Sequence, residues 1–338
     1  MPGRRTRGRW GRLTRMQAIQ ITQYGGPDVL IPAEVDPPAP GPGQALVEVA
    51  AAGVNFIDVY HRLGRYPTPL PFVPGVEAAG RVLAVGPGVT EVRAGERVAW
   101  ALLPGTYAEQ AVVPVDRLVP LPDGLAEETA AAVLLQGMTA HFLTHDVYAI
   151  QPGDTVLVHA AAGGMGLLLC RLIPHLGGRV IGTVSTDAKE KLAREAGAAE
   201  VIRYDQVDDL AGRVRELTGG AGVAAVYDGV GASTFDASLA SLRRRGTLAL
   251  FGAASGPVPP VDPIRLMQAG SAVLTRPTLG DFVVTRQELL ERATDVLGWV
   301  AAGTLRVSVG GRYPLAEAAR AHEDLTSRRT TGKLLLIP

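Results

Sequence analysis

Cysteine is nearly absent. Cys170 is the only thiol in 338 residues, which excludes disulfide cross-links and any zinc cage built on thiolates. Within the apolar run LLLC it reads as a small core residue. The six histidines, His61, His141, His145, His159, His175 and His322, show no metal-ligand spacing. Aromatic residues make up 5% of the chain, and no stripe of aromatic and basic residues suggests a nucleic-acid surface. No apolar run is long enough to cross a membrane, because the uncharged stretch around Ala160 is broken by glycines. Net charge is also absent, with 33 basic and 33 acidic groups. The balance is uneven, however: Arg4, Arg5, Arg7, Arg9, Arg12 and Arg15 crowd residues 1–15 without an acid, which leaves 27 basic against the 33 acidic groups over the rest. Residues 1–15 are expected to be a disordered basic extension. They lack the apolar centre of an export signal, so a cytoplasmic location is expected.

What the chain does have is a small-residue loop in a telling place. In TVLVHAAAGGMGLLLCRL, Thr155–Leu172, an apolar strand runs into a loop and then into an apolar helix. Ala161, Gly163 and Gly166 fall on the spacing of a G-x-G-x-x-G fingerprint, with Ala in the first place and an additional Gly164. A loop without side chains lets backbone N–H groups approach a pyrophosphate, and the helix start adds the positive end of its dipole. Such a loop alone also fits an ordinary tight turn. Its surroundings decide the matter. Arg179–Val184 reads as strand, Asp187–Ala196 as helix, Glu200–Tyr204 as strand and Val207–Leu217 as helix. Val223–Asp228 as strand, Ser233–Leu242 as helix and Thr247–Phe251 as strand continue the series, which predicts a doubly wound parallel sheet. Pro174 should end or kink the first helix within its last turn.

At this length two domains are expected. Before about residue 125 the chain is rich in Pro and Gly, and ALVEVAAAGV, EAAGRVLAVGPGV and ERVAWALL read as short strands of a β-rich domain. Helices at Arg286–Ala302 and Leu315–Leu325 and a final strand in KLLLIP belong to neither the βα series nor a domain of their own. They should fold back onto the N-terminal half.

The elements AAGVNFIDVYHRLGRYP, PGVEAAGRV, AGERVAW, AAAGGMG, VYDGVG, FGAASG, TRPTL and SRRTTGKLLLIP resemble, in order from Met16 to Pro338, the zinc-free quinone oxidoreductases. These are the ζ-crystallin-like branch of the medium-chain dehydrogenase/reductase superfamily. The resemblance implies an α/β protein with a GroES-like β-rich catalytic domain at 16–137 and 279–338, and a Rossmann domain at 138–278. Zinc alcohol dehydrogenases of that superfamily carry Cys where this chain has Asn55, and Gly-His-Glu where it has Gly75-Val76-Glu77. With those ligands replaced, the Lewis acid that stabilises an alkoxide is missing, so no metal is expected. An acceptor that is already electrophilic, a quinone or an activated alkene, needs only positioning and a few hydrogen bonds. The resemblance places Asn55 and Tyr60 beside the substrate as catalytic groups, the first as an amide hydrogen bonder and the second as a hydroxyl that orients a carbonyl or relays a proton.

An NAD site usually carries an acid about 20 residues past the glycines, and Asp187 stands close to that count. Against this, Ser185, Lys189 and Tyr204 resemble the family's pocket for a 2′-phosphate, and Arg328 matches a terminal arginine that assists it. Charge and hydroxyl donors suit a dianion. NADPH is therefore the expected cofactor, with Asp187 serving as the N-terminal residue of its helix. Gly163, Gly164, Met165 and Gly166 should hold its phosphates. By resemblance Thr139, Val230, Gly231, Phe251, Gly252 and Ser255 line the nicotinamide side.

The expected activity is zinc-independent hydride transfer from NADPH to a quinone. A reductase of enone, alkenal or enoyl-thioester double bonds would use the same geometry, and a crystallin-like protein that binds NADPH or RNA without turnover is a third reading. Ala272–Thr275 reads as a sixth strand at a sheet edge, and relatives pair this edge with its twin to form a homodimer.

Overall fold

A computed structural model describes residues 15–327 and 329–338. The expected extension at 1–15 therefore lies outside the described residues except for Arg15, and so does Arg328. The chain divides into two compact units: one holds the residues up to Leu135, Thr285–Ala301 and Val309–Pro338, the other Gln136–Val284 and Ala302–Ser308.

In the second unit six parallel strands lie side by side in the order Glu200–Arg203, Arg179–Val184, Thr155–Val158, Val223–Asp228, Leu242–Leu250 and Val273–Thr275. The chain starts at Thr155–Val158, moves outward one way and then returns to build the other half. The loops after Val158 and Asp228 thus flank the point where strand order reverses, the place at which such sheets bind ligands. Leu157, Ile181, Ile202, Val226 and Leu248 from the strands pack with Val214, Phe235 and Leu239 from the helices. The expected sheet is present, with local differences. The helix expected from Val207 starts at Leu210, because the Asp209 carboxylate caps it by accepting from the Gly212 N–H at 2.8 Å. Pro174 is the penultimate residue of the helix Gly164–His175, so it ends that helix and leaves its start intact. Residues 302–308 cluster with this unit, not with the N-terminal half as the sequence suggested: Arg171 donates to the Arg306 carbonyl at 2.8 Å and to the Ser308 hydroxyl at 3.2 Å.

In the first unit a seven-stranded sheet runs Val309–Pro314, Lys333–Ile337, Gln44–Val54, Glu77–Val85, Arg97–Ala101, Val119–Pro120, with Gln110–Pro114 also pairing Gln44–Val54. The final strand is antiparallel to Gln44–Val54, with Leu334 opposite Val54. Leu315, Ala318, Ala321, Leu334 and Leu336 from the end of the chain share a core with Ile19, Val47, Trp100 and Tyr107. Leu315–Glu317 forms a 3-10 turn before the α-helix Ala318–Thr326, where a single helix was expected. No helix among the described residues is long and apolar enough to cross a membrane.

Candidate active site

The glycine loop follows the strand Thr155–Val158. Ala160 turns the chain with φ 50, and Gly163 precedes the helix in extended backbone with no side-chain cap. At Gly166 a Cβ would lie 2.3 Å from the Ala160 carbonyl oxygen and 2.6 Å from the Ala161 Cα. No side chain fits there, because backbone cannot yield as a side chain can. Ala161 replaces the first glycine of the fingerprint at no steric expense, since its methyl group faces Gly182 on the neighbouring strand, where a Cβ would approach it to 2.7 Å. The result is a loop of bare backbone opening on the start of a 12-residue helix, a fit for a pyrophosphate.

At the carboxyl end of Arg179–Val184, Ser185 is half-buried and Tyr204 is exposed. Tyr204 donates its N–H to the Val184 carbonyl at 3.2 Å, so Ser185, Asp187, Lys189 and Tyr204 gather at one edge. The helix Asp187–Glu195 is capped by the Thr186 hydroxyl, which accepts from the Lys189 N–H at 3.3 Å. Asp187 is thus the first helical residue and not the cap, and its carboxylate pairs with Arg203. The sequence reading passed over Arg203.

On the other side of the switch point, Asp228 organises the loop that follows it. One carboxylate oxygen accepts from the N–H groups of Val230 at 2.8 Å and Gly231 at 3.0 Å, and the other from the hydroxyls of Thr234 and Ser238, both at 2.7 Å. Gly231 has φ 91, and a Cβ on Gly252 would lie 2.4 Å from the Gly229 carbonyl oxygen, so both positions demand glycine. The Ser255 hydroxyl donates to the Val230 carbonyl at 2.8 Å and accepts from the Ser233 N–H at 3.0 Å. Val230, Gly231, Phe251, Gly252 and Ser255 are thereby brought together. Below them, buried His159 bridges the Thr183 hydroxyl at 3.0 Å and the Ser238 hydroxyl at 2.9 Å, and burial holds its pKa down. Thr139 belongs to the same unit, on the helix Glu127–Phe142.

Asn55 and Tyr60 belong to the first unit. Asn55 begins the helix Phe56–Arg62, and its N–H donates to the Asp58 carboxylate at 2.8 Å. Its side chain turns toward Glu77 and Lys333. The amide nitrogen donates to Glu77 Oε2 at 2.9 Å and to the Gly53 carbonyl at 3.3 Å, while Oδ1 accepts from Lys333 Nζ at 2.6 Å. Lys333 also reaches Glu77 Oε2 at 2.5 Å, and Glu77 Oε1 accepts from the Leu135 N–H at 2.7 Å. Glu77 is 0%, Lys333 2% and Asn55 4% exposed. Two opposite charges and an amide thus form a neutral buried cluster, the condition under which buried charge is tolerated. Gly53 makes room for it, since a Cβ there would lie 2.4 Å from Glu77 Oε2. Lys333 is the group the sequence reading missed; its signal was a lysine heading a strand that is otherwise wholly apolar. Tyr60 is buried, with the Tyr66 ring edge-on at 5.6 Å and the Arg65 guanidinium 5.6 Å from its centroid.

Behind that helix runs a second buried chain. Tyr107 donates its hydroxyl proton to Asp58 at 2.9 Å and lies 3.0 Å from His322 Nε2, whose Nδ1 is 3.4 Å from the Arg62 guanidinium. Burial raises the Asp58 carboxyl to about 7, while burial and then the Arg62 charge lower His322 to about 3. Among the described residues no three His, Cys, Asp or Glu side chains gather as metal ligands would.

Comparison with known proteins follows the same division. Residues 41–123 match the family described as alcohol dehydrogenase GroES-like domain, and residues 164–297 the family described as zinc-binding dehydrogenase. A quinone oxidoreductase of Pseudomonas aeruginosa is 47% identical over 322 residues, covering 95% of this chain and 99% of that protein. A 2-haloacrylate reductase of a Burkholderia species is 43% identical, covering 96% of this chain and 99% of that protein. A solved mycobacterial structure complexed with NADPH superposes with a TM-score of 0.93 at 55% identity, covering 96% of this chain and all of that one. Similarity this even from end to end rests on the chain as a whole and not on one motif, and it makes the protein a member of the zinc-free quinone oxidoreductase family of the medium-chain dehydrogenase/reductase superfamily.

Proposed function

We propose that the protein is an NADPH-dependent, zinc-independent quinone oxidoreductase. The observation that carries this is the Asn55–Glu77–Lys333 cluster: an ammonium held at 2.5 Å and 2.6 Å from the Glu77 and Asn55 oxygens would repel a metal cation offered the same donors. Reduction then requires an acceptor that does not need a Lewis acid. When bound, NADPH supplies the hydride. The small-residue loop from Ala160 to Gly163 and the helix start at Gly164 suit its pyrophosphate. Ser185, Lys189 and Tyr204, with Arg328, are proposed for the 2′-phosphate, and Thr139, Val230, Gly231, Phe251, Gly252 and Ser255 for the nicotinamide side.

Tyr60 is proposed to orient the acceptor carbonyl and pass on the proton that, with the hydride, completes a hydroquinone. Both Asn55 amide protons are engaged by protein oxygens, so its role is carried by the second lone pair of Oδ1, which accepts from a neighbouring donor while Lys333 fixes the amide. Reduction of an activated alkene is the second reading, favoured by the 2-haloacrylate reductase at 43% identity. Following NADPH absorbance with benzoquinones, enones and 2-haloacrylate separates the two; no turnover with any of them would leave only the binding-protein reading. A homodimer through Val273–Thr275 is also proposed, supported by a terminal strand whose Val273 is 52% exposed and by the exposed Ile264 and Met267 on the preceding helix. Sedimentation of a monomer at micromolar concentration would refute it.

A further inference from the structure

An acid at the end of the second strand of a dinucleotide fold accepts from a ribose 2′-hydroxyl and repels a 2′-phosphate. Asp187, the first residue of the helix that follows that strand, stands close to that place, which by itself argues for NADH. Arg203 changes the balance. It ends the neighbouring strand in register with Val184, and its guanidinium is oriented by Asp205, donating from Nε to Oδ1 at 2.9 Å and from Nη2 to Oδ2 at 2.7 Å. The remaining nitrogen, Nη1, is thereby aimed at the Asp187 carboxylate and donates to it. The Arg203 side chain is 13% exposed and that of Asp187 95% exposed. The arginine is therefore anchored in the protein, while the acid it holds lies open to a ligand.

We propose that Arg203 is a cofactor-specificity determinant, a positioning residue that occupies Asp187 and so withholds from the ribose the carboxylate that would select against a 2′-phosphate. This rests on the NADPH reading above. Because Asp187 is exposed, the pair adds little to stability, so its removal should change recognition without unfolding the protein.

The test is calorimetric binding of NADPH and NADH to the unmutated protein, Arg203→Met, Asp187→Ala and the double variant, with thermal melting as the check on folding. Arg203→Met should weaken NADPH about tenfold or more and leave NADH unweakened, because a bare carboxylate now faces the phosphate. Asp187→Ala alone should shift the NADPH-to-NADH ratio less than about threefold, since the acid is already occupied, yet in the Arg203→Met background it should restore most of the NADPH affinity. Arg203→Lys, which keeps the charge and loses the fork, should fall between. An unchanged ratio in Arg203→Met overturns the proposal. So does a double variant as weak for NADPH as Arg203→Met, or a large loss of NADH binding in Asp187→Ala alone. A preference of the unmutated protein for NADH would refute the cofactor reading itself, so the two failures are told apart before any variant is made.

Discussion

Replacing Lys333 with Met removes the ammonium that pairs with Glu77. Glu77 is 0% exposed, and its remaining partners are the Asn55 amide at 2.9 Å and the Leu135 N–H at 2.7 Å. Two neutral donors do not balance a carboxylate taken out of water, and breaking a buried pair on one side costs about 3–5 kcal/mol. At about 2–4 °C per kcal/mol for units of this size, the melting temperature of the first unit should fall by roughly 6–20 °C. Adding Glu77→Gln to Lys333→Met removes the stranded charge: the new amide keeps one oxygen for the Leu135 N–H, and its NH2 can donate to Asn55 Oδ1 once the Asn55 amide, released by Lys333, turns over. The double variant should regain more than half of the loss, a coupling of about 2 kcal/mol or more. Differential scanning calorimetry on the four proteins measures this. The reasoning fails if Lys333→Met melts with the unmutated protein, or if the two changes add. Turnover supplies a second readout: with Asn55 Oδ1 released, kcat should fall further than NADPH affinity in both Lys333→Met proteins, whatever their stability.

Tyr60→Phe keeps the ring packed against Tyr66 and removes the hydroxyl, so NADPH affinity should hold while quinone turnover drops about tenfold or more; unchanged kcat would remove Tyr60 from the mechanism. Gly166→Ala forces a methyl group to within 2.3 Å of the Ala160 carbonyl, and should cost about 1–3 kcal/mol together with most of the cofactor affinity, read by urea unfolding and NADPH fluorescence. The buried chain behind Tyr60 gives a pH signature. Asp58, raised from 3.8 to about 7 in the fold, contributes stability that is complete below its unfolded value and lost as pH rises through about 7; His322, lowered from 6.5 to about 3, contributes stability that is complete above 6.5 and lost as pH falls through about 3. Between about pH 4 and 6.5 the two oppose each other, so His322→Gln should make stability rise on acidification by a few kcal/mol, on the order of 1.4 kcal/mol per pH unit. Urea unfolding at stepped pH that shows no such tilt would refute the assignment.

The site was legible in unequal parts. The glycine loop, the strands and helices around it and the turn at Pro174 follow from patterns a few residues long, and neighbours in sequence impose them. Even the substitution at Ala161 left the motif readable, although what permits it, Gly182 on the adjacent strand, appears only when the strands are in register. The helix start at Leu210 slipped because Asp209 is a cap that periodicity does not weigh.

Contacts between distant residues were another matter. Asn55 was singled out for its position, yet its partners Glu77 and Lys333 are 22 and 278 residues away. Tyr107 and His322, which lie 3.0 Å apart, are separated by 215 residues. Arg203 reaches Asp187 across 16 residues, through the pairing of two strands. The sequence alone determined the class of fold, the dinucleotide fingerprint at Ala161–Gly166 and the presence of Asn and Val, rather than metal-ligating Cys or His, at positions 55 and 76, because these depend on local geometry and on which side chains are present. Only the tertiary structure decided where the charges go. Burial makes an unpaired charge expensive, so each buried carboxylate must find its partner through the fold, and that search ignores distance along the chain.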